Sequence, residues 1–249
     1  MMTNTNDILT TLKNGVRKIT FNRPQKKNAL NKQMYLKLID LLNGDAKKDD
    51  VIITIITGNG DFYSSGNDFS EASNETGLAT VKNLVQAFID YPKPIIAVVN
   101  GPAIGIAATS AALCDVIYCS DKAYFQTPFV KLAICAEGAS SYLFPRLLGR
   151  SKASELLLLG EKLSAQEAYN FGFVSKVIPH EEIQTFTDSL YKYGSLPLNS
   201  VKVIKHLIMI NLKNTLSDCN KREMLSLVEC LKSDEFSQAF MNYFSKSKL

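Results

Sequence analysis

The chain has 249 residues, 46% hydrophobic and 21% charged, with 28 Lys and Arg against 24 Asp and Glu and a formal net charge of +4. That length fits one large domain, and the composition excludes a disordered, repetitive or membrane-spanning chain, so a soluble protein is expected. The basic residues are dispersed, which disfavours nucleic acid but suits a phosphate-bearing small molecule, and five Cys without a C-x-x-C pair beside only two His leave zinc without ligands.

No secretory signal precedes the first predicted strand. Apolar-alternating runs at 8–12 and 16–21 flank Lys13-Asn14-Gly15, and Asn-Gly between such runs predicts a β-hairpin. Asn31 then precedes a helical pattern with Tyr35, Leu38, Ile39 and Leu42 on one face, ending near Asn43-Gly44. The β-branched run 51–57 reads as a buried strand running into the turn Gly58-Asn59-Gly60 and then Asp61-Phe62-Tyr63-Ser64-Ser65-Gly66-Asn67-Asp68-Phe69. Residues 70–77 read as a mobile polar loop, and a helix over 78–90 runs into Tyr91-Pro92-Lys93-Pro94.

A second buried strand, 95–99, feeds Asn100-Gly101-Pro102-Ala103-Ile104-Gly105-Ile106, and the small-residue stretch after it reads as a buried helix whose first turn leaves backbone N–H groups free. Strand, glycine turn and helix N-terminus make a candidate anion site, although an ordinary strand-to-helix connection accounts for the same residues. Two such units in one domain are able to aim one N–H each at a shared point, as an oxyanion requires. Further on, 116–119 and 123–126 are short strand candidates, and 138–147 and 152–159 are helix candidates. Ser164-Ala165-Gln166-Glu167 is a capping box before a short helix closed by Gly172. A last strand over 174–178 is followed by helices at 182–193, 199–213 and 218–232 and by Phe236, Phe240 and Phe244 at helical spacing.

Three ordered motifs carry a family resemblance. Asn22-Arg23-Pro24 with Asn28-Ala29-Leu30, then Ser65-Gly66-Asn67-Asp68, then Asn100-Gly101-Pro102-Ala103-Ile104-Gly105 resemble, in order and spacing, the crotonase (enoyl-CoA hydratase/isomerase) family, over about residues 8 to 249. The resemblance implies an α/β fold: a spiral of ββα units over 1–195 and a C-terminal helical trimerisation region over 196–249 of the same domain. A homotrimer or a dimer of trimers follows from it, although helices packing back on their own domain explain the apolar faces equally well.

The resemblance also implies an acyl-CoA thioester as substrate. Its oxyanion hole falls on the backbone N–H groups of Asn67 and Ile106, and its substrate-binding positions on Ser64, Ser65, Gly66, Asn67, Asp68, Phe69, Gly105 and Ala29. Lys26 and Lys27 border the family's CoA pocket, where they either neutralise CoA phosphates or form a solvated basic loop. Asp68 reads first as a turn residue bonded to its own backbone. No metal, nicotinamide or flavin is implied, since coenzyme A is part of the substrate.

Water addition across a double bond needs one group to activate water and another to handle the α-carbon proton. Alignment places Thr109 and Phe129 where the family's two hydratase glutamates stand. A single acid, Glu137 in Ala136-Glu137-Gly138, instead resembles the position used by the peroxisomal Δ3,Δ2-enoyl-CoA isomerase branch, whose pattern there is commonly Pro-Glu-Gly. One carboxylate suffices for a double-bond shift, because it removes the C2 proton and returns it at C4. A first-turn helix acid would be the plain structural reading of Glu137. Nearby Ile134, Leu143 and Phe129 would raise its pKa by desolvation, a helix N-terminus would lower it, and the sequence does not choose between them.

His180 and His206 read as solvated, and G-x-S-x-G is absent, so Ser64 and Ser65 are not read as nucleophiles. Ser247-Lys248-Leu249 matches a peroxisomal targeting tripeptide, which predicts the peroxisomal matrix and recognition by its import receptor. The alternatives are another acyl-CoA conversion on the same scaffold, hydration or dienoyl isomerisation, and a non-catalytic acyl-CoA-binding module of the kind fused to chromatin-reading domains.

Overall fold

A computed structural model describes residues 7–68 and 75–246. Phe69, residues 70–74 and Ser247-Lys248-Leu249 lie outside the described residues. Strands β1 (Ile8–Lys13) and β2 (Val16–Phe21) form the predicted antiparallel hairpin, with Asn14 and Gly15 both at positive φ, as a two-residue turn of matching twist requires. Asn31 caps α1 (Lys32–Asp45) by accepting from the Met34 N–H. Then come β3 (Ile53–Gly58), α2 (Glu75–Asp90), β4 (Ile95–Val99), β5 (Ala103–Ile104), α3 (Ile106–Ala112), β6 (Val116–Ser120) and β7 (Tyr124–Gln126). They are followed by α4 (Ser140–Leu148), α5 (Arg150–Leu159), β8 (Lys162–Ser164), α6 (Ala165–Asn170), β9 (Lys176–Ile178), α7 (Ile183–Ser189), α8 (Leu198–Met209), α9 (Lys213–Leu231) and α10 (Asp234–Lys246).

The larger sheet has the order β1-β2-β3-β4-β6-β9, parallel from β2 onward, and β5, β7 and β8 make a second, small sheet. Parallel neighbours need crossovers that cover both faces, so the inner strands carry continuous apolar runs. Period two is hidden inside those runs. Ile55, Ile96 and Val98 pack into a smaller core beneath Leu190 and Tyr193, whereas Ile56, Ala97 and Val99 face the main core with α1, α2 and α3.

The structure moves several sequence boundaries. Backbone helix begins at Glu75, so 75–77 belong to α2 rather than to a loop. The last strand is confined to Lys176–Ile178, and the predicted 182–193 helix breaks into α7 and the 3-10 turn Leu190–Ser195. Strands β5, of two residues, and β8, of three, were not predicted. In the C-terminal helices, α9 packs on its own domain, burying Leu216, Cys219, Met224 and Leu227 against α2 and α4. By contrast, α8 turns Val203, Ile204, Leu207 and Ile208 outward.

Candidate active site

Two buried asparagines fold the loops that build the site. Asn28 accepts from the Arg23 N–H (2.8 Å) and donates to the carbonyls of Asn59 (2.9 Å) and Phe62 (2.7 Å). Asn100 accepts from the Gly58 N–H (2.9 Å) and donates to the Gly60 carbonyl (2.7 Å). These bonds pin the segment after β3 beside the segment after β4. Ser64 then pairs with Ala103 as an isolated bridge.

Gly66, at φ +89°, lies so close to the next turn that a Cβ there would stand 2.6 Å from the Ile104 carbonyl oxygen. The two turns are in contact at the positions preceding Asn67 and Ile106. Among the described residues neither of those two amides donates a hydrogen bond. Gly105, at φ +57° and ψ −127°, starts α3 in a conformation that only glycine adopts readily.

Glu137 comes from the segment between the 3-10 turn Val130–Leu132 and α4. Gly138 (φ +72°) and Ala139 (φ +59°) are both left-handed and precede α4. Three residues outside the helix, Glu137 is not a first-turn acid, and it is 2% exposed. Burial, and after it the charge of Glu223, raise its pKa from 4.5 to about 8. The direction that the sequence left undecided is therefore upward.

The carboxyl lines a cavity with about 80 Å³ open to the centre of a water molecule, room for several waters or a short ligand segment. Its wall is mainly apolar: Leu30, Leu78, Val81, Ile134, Leu227, Leu231, Phe236 and Phe240, with Tyr35, Asn67, Asp68, Lys32 and Thr80 as polar members. An apolar cleft with a few convergent polar groups is the usual form of a small-molecule site. The Tyr35 hydroxyl donates to the Asn67 side-chain oxygen, and burial followed by the charge of Glu137 holds the phenol far above its usual range.

Of the positions predicted from sequence, Asn67, Asp68 and Glu137 line the cavity, while Ser64, Ser65, Gly66, Gly105 and Ile106 are not among its lining residues. Ser64 Oγ accepts from the Gly66 N–H (3.1 Å), which leaves it a turn-holding role. Asp68 has a partner the sequence did not offer, the Arg23 guanidinium at 3.0 Å, and its own N–H donates to the Leu30 carbonyl. Lys26, Lys27 and Ala29 do not line the cavity. Lys26 is exposed, the Lys27 ammonium lies over the Phe62 ring, and the Ala29 carbonyl accepts from Arg23.

Thr109 and Phe129 are buried and are not among the cavity-lining residues. Neither His180, bonded to Ser120 Oγ, nor exposed His206 reaches it. Among the described residues no group of three or more His, Cys, Asp or Glu is placed to hold a metal ion, and no helix is long and apolar enough to cross a membrane. Sequence reasoning missed Lys32, Glu223 and the α9 and α10 side chains of the wall. Tyr35 was legible only as one more apolar-face residue.

The family profile described as enoyl-CoA hydratase/isomerase matches residues 11–249. The chain belongs to the enoyl-CoA hydratase/isomerase family. Within that family it is 43% identical over 253 residues to the Mus musculus protein named enoyl-CoA delta isomerase 3, peroxisomal, covering 97% of this chain and 80% of that one. It is 44% identical over 250 residues to the Rattus norvegicus enoyl-CoA delta isomerase 2, covering 96% of this chain but only 63% of that longer protein. A crystal structure of an enoyl-CoA hydratase/isomerase from Pseudoalteromonas atlantica T6c superposes with a TM-score of 0.92 at 35% identity, covering 96% of this chain and 97% of that one. The α/β architecture with its C-terminal helices is thus the crotonase fold.

Proposed function

We propose that this family member is an enoyl-CoA isomerase that moves a 3-cis or 3-trans double bond to 2-trans in fatty-acid β-oxidation, with Glu137 as the one base and acid. The observation that carries the reading is the Glu137 carboxyl itself: buried in an apolar cavity, and raised to a pKa of about 8. The names of the mouse and rat relatives support it.

In this mechanism the ionised Glu137 takes the proton from C2, α to the thioester. The electrons of that C–H bond form the C2=C3 double bond of the product as the C3=C4 pair closes on the proton returned to C4. One proton leaves and one comes back, so no second acid is needed. Charge gathers on the thioester oxygen in between, where the amides of Asn67 and Ile106 would receive it; one such donor is worth on the order of 3 kcal/mol. A base whose pKa is near the working pH combines a usable ionised fraction with real basicity.

Two further assignments go with this reading. A peroxisomal location is supported by the name of the mouse relative, and a homotrimer by the outward apolar face of α8. The deciding experiment follows 2-trans product from 3-enoyl-CoA with wild type and Glu137→Gln, alongside hydration and dienoyl isomerisation. A loss of roughly 10²- to 10⁴-fold is expected for the variant, the usual contribution of a general base. Undiminished turnover would remove Glu137 from the mechanism.

A further inference from the structure

A carboxylate from a different element occupies the N-terminus of α4, which begins three residues after Glu137. Glu223, on the buried side of α9, accepts from the Ala139 N–H at 2.6 Å, the Ser141 N–H at 2.9 Å and the Ser141 hydroxyl at 2.6 Å. Ala139 is the residue before the helix and has no side-chain oxygen to cap it. Glu223 supplies that cap from 84 residues away in sequence, and it is not one of the cavity-lining residues.

We propose that Glu223 is the positioning residue of Glu137: it occupies the α4 N-terminus, so that this end of the helix compensates Glu223 and leaves the neighbouring acid buried, uncompensated and basic. The role rests on Glu137 being the base. All three of the side-chain hydrogen bonds that Glu223 accepts come from the α4 N-terminus. Its negative charge then adds to burial in favouring the protonated form of Glu137, and the partial positive charge of the helix end, which would oppose both, is already engaged.

The other groups facing Glu137 do not do this. From α1, Tyr35 is held neutral by burial and by Glu137, and Lys32 is an exposed residue of the cavity rim. From the turn after β3, Asp68 is paired with Arg23. In its own segment Cys135 is a thiol whose pKa burial and the nearby Cys230 push up, and the cavity side chains from α2 and α10 carry no charge.

The test is a direct titration of the carboxyl in the full chain, by carbon NMR of glutamate labelled at the side-chain carboxyl, with Glu137→Gln identifying the resonance. Wild type is expected to titrate near pH 8. In Glu223→Gln the midpoint should fall by about 1 unit, which raises the ionised fraction at pH 7 about fivefold. Glu223→Asp, with its charge drawn back by one methylene, should shift it less and in the same direction. Circular dichroism identifies the folded variants, and an unmoved midpoint in either one overturns the inference, since a cap with a purely structural role would leave the titration alone.

The acidic limb of kcat/KM should move with the NMR midpoint. Should the carboxyl shift as described in a chain that does not isomerise 3-enoyl-CoA, the proposed function falls and this inference stands. An active isomerase whose residue 137 ignores residue 223 gives the reverse outcome.

Discussion

Thr109 packs so tightly against Gly138 that a Cβ added at position 138 would stand 2.7 Å from the Thr109 Cβ, with the Ile106 Cδ1 next at 3.7 Å. The residue after the proposed base is therefore seated on the helix that carries one proposed amide donor. Gly138→Ala meets both that contact and a φ of +72°. Overpacking and a left-handed residue together should cost about 3 kcal/mol. Gly172→Ala is the control, since its φ of +76° is similar but nothing lies within 4 Å of its added Cβ; about 1 kcal/mol is expected there. Urea unfolding of both variants separates the contact from the dihedral, and equal losses would contradict the account.

The pH dependence of turnover follows from the raised Glu137. Its ionised form is the reactive one, so kcat/KM for 3-enoyl-CoA should fall tenfold per unit below pH 8 and level off above it. Stability runs the opposite way. The folded pKa of about 8 exceeds the ordinary 4.5, so the native state holds an extra proton between those values, and the stability linked to it is complete below pH 4.5 and lost as pH rises through 8. Glu137→Gln does not titrate. It should match wild type near pH 5 and exceed it at pH 8.5 by on the order of 3 kcal/mol, measured as the difference in urea unfolding at the two pH values. A gap that stays constant would mean the group is not buried as a neutral acid.

The parts of this fold that are local in sequence were legible in sequence. Asn14-Gly15 announced its hairpin, Asn31 its helix cap, and Ser164 with Glu167 a capping box that forms with both hydrogen bonds. The runs in β3 and β4 declared buried strands, although not that alternate residues enter two different cores. Glu137 was legible because a motif frames it, and its burial was not, because the side chains that desolvate it come from α1, α2, α9 and α10. Glu223 was illegible for the same reason. Its sequence neighbours describe an amphipathic helix without saying what that helix packs on, and its role arises only when α9 docks on α4.

Tyr35 should matter through Asn67. Its hydroxyl is the donor to the Asn67 side chain, and residue 67 supplies a proposed oxyanion amide. Tyr35→Phe leaves an acceptor unsatisfied, at a cost of about 1 to 3 kcal/mol, and frees the turn to drift. Small misplacements at a reacting centre are expensive, so a kcat loss of about tenfold is expected. The phenol is held far above its usual range, so Tyr35→Phe should leave the acidic limb of the pH profile where it is in wild type. A moved limb would give Tyr35 a protonic role in place of a positional one.

The helix that carries Tyr35 is fixed at its other end by a buried ion pair, which allows the most severe stability prediction. Asp45, at the end of α1, receives the Arg17 guanidinium from β2 through two bonds, of 2.6 and 3.1 Å, and Lys48 at 3.2 Å. Fully buried Lys93 donates to the backbone carbonyls of Asp45, at 2.5 Å, and Lys48. Burial alone would raise the Asp45 pKa, but the hydrogen bonds and charges of Arg17 and Lys48 overcome it and hold it below 3.8. The linked stability is therefore present above pH 3.8 and lost as pH falls through the lowered value. Asp45→Asn leaves Arg17 buried without its anion and should cost about 3 to 5 kcal/mol at pH 7, whereas replacing the pair together as Arg17→Met with Asp45→Leu should cost far less. Chemical unfolding of the single and double variants measures both, and a double variant as unstable as the single would show that the pair contributes shape rather than charge compensation.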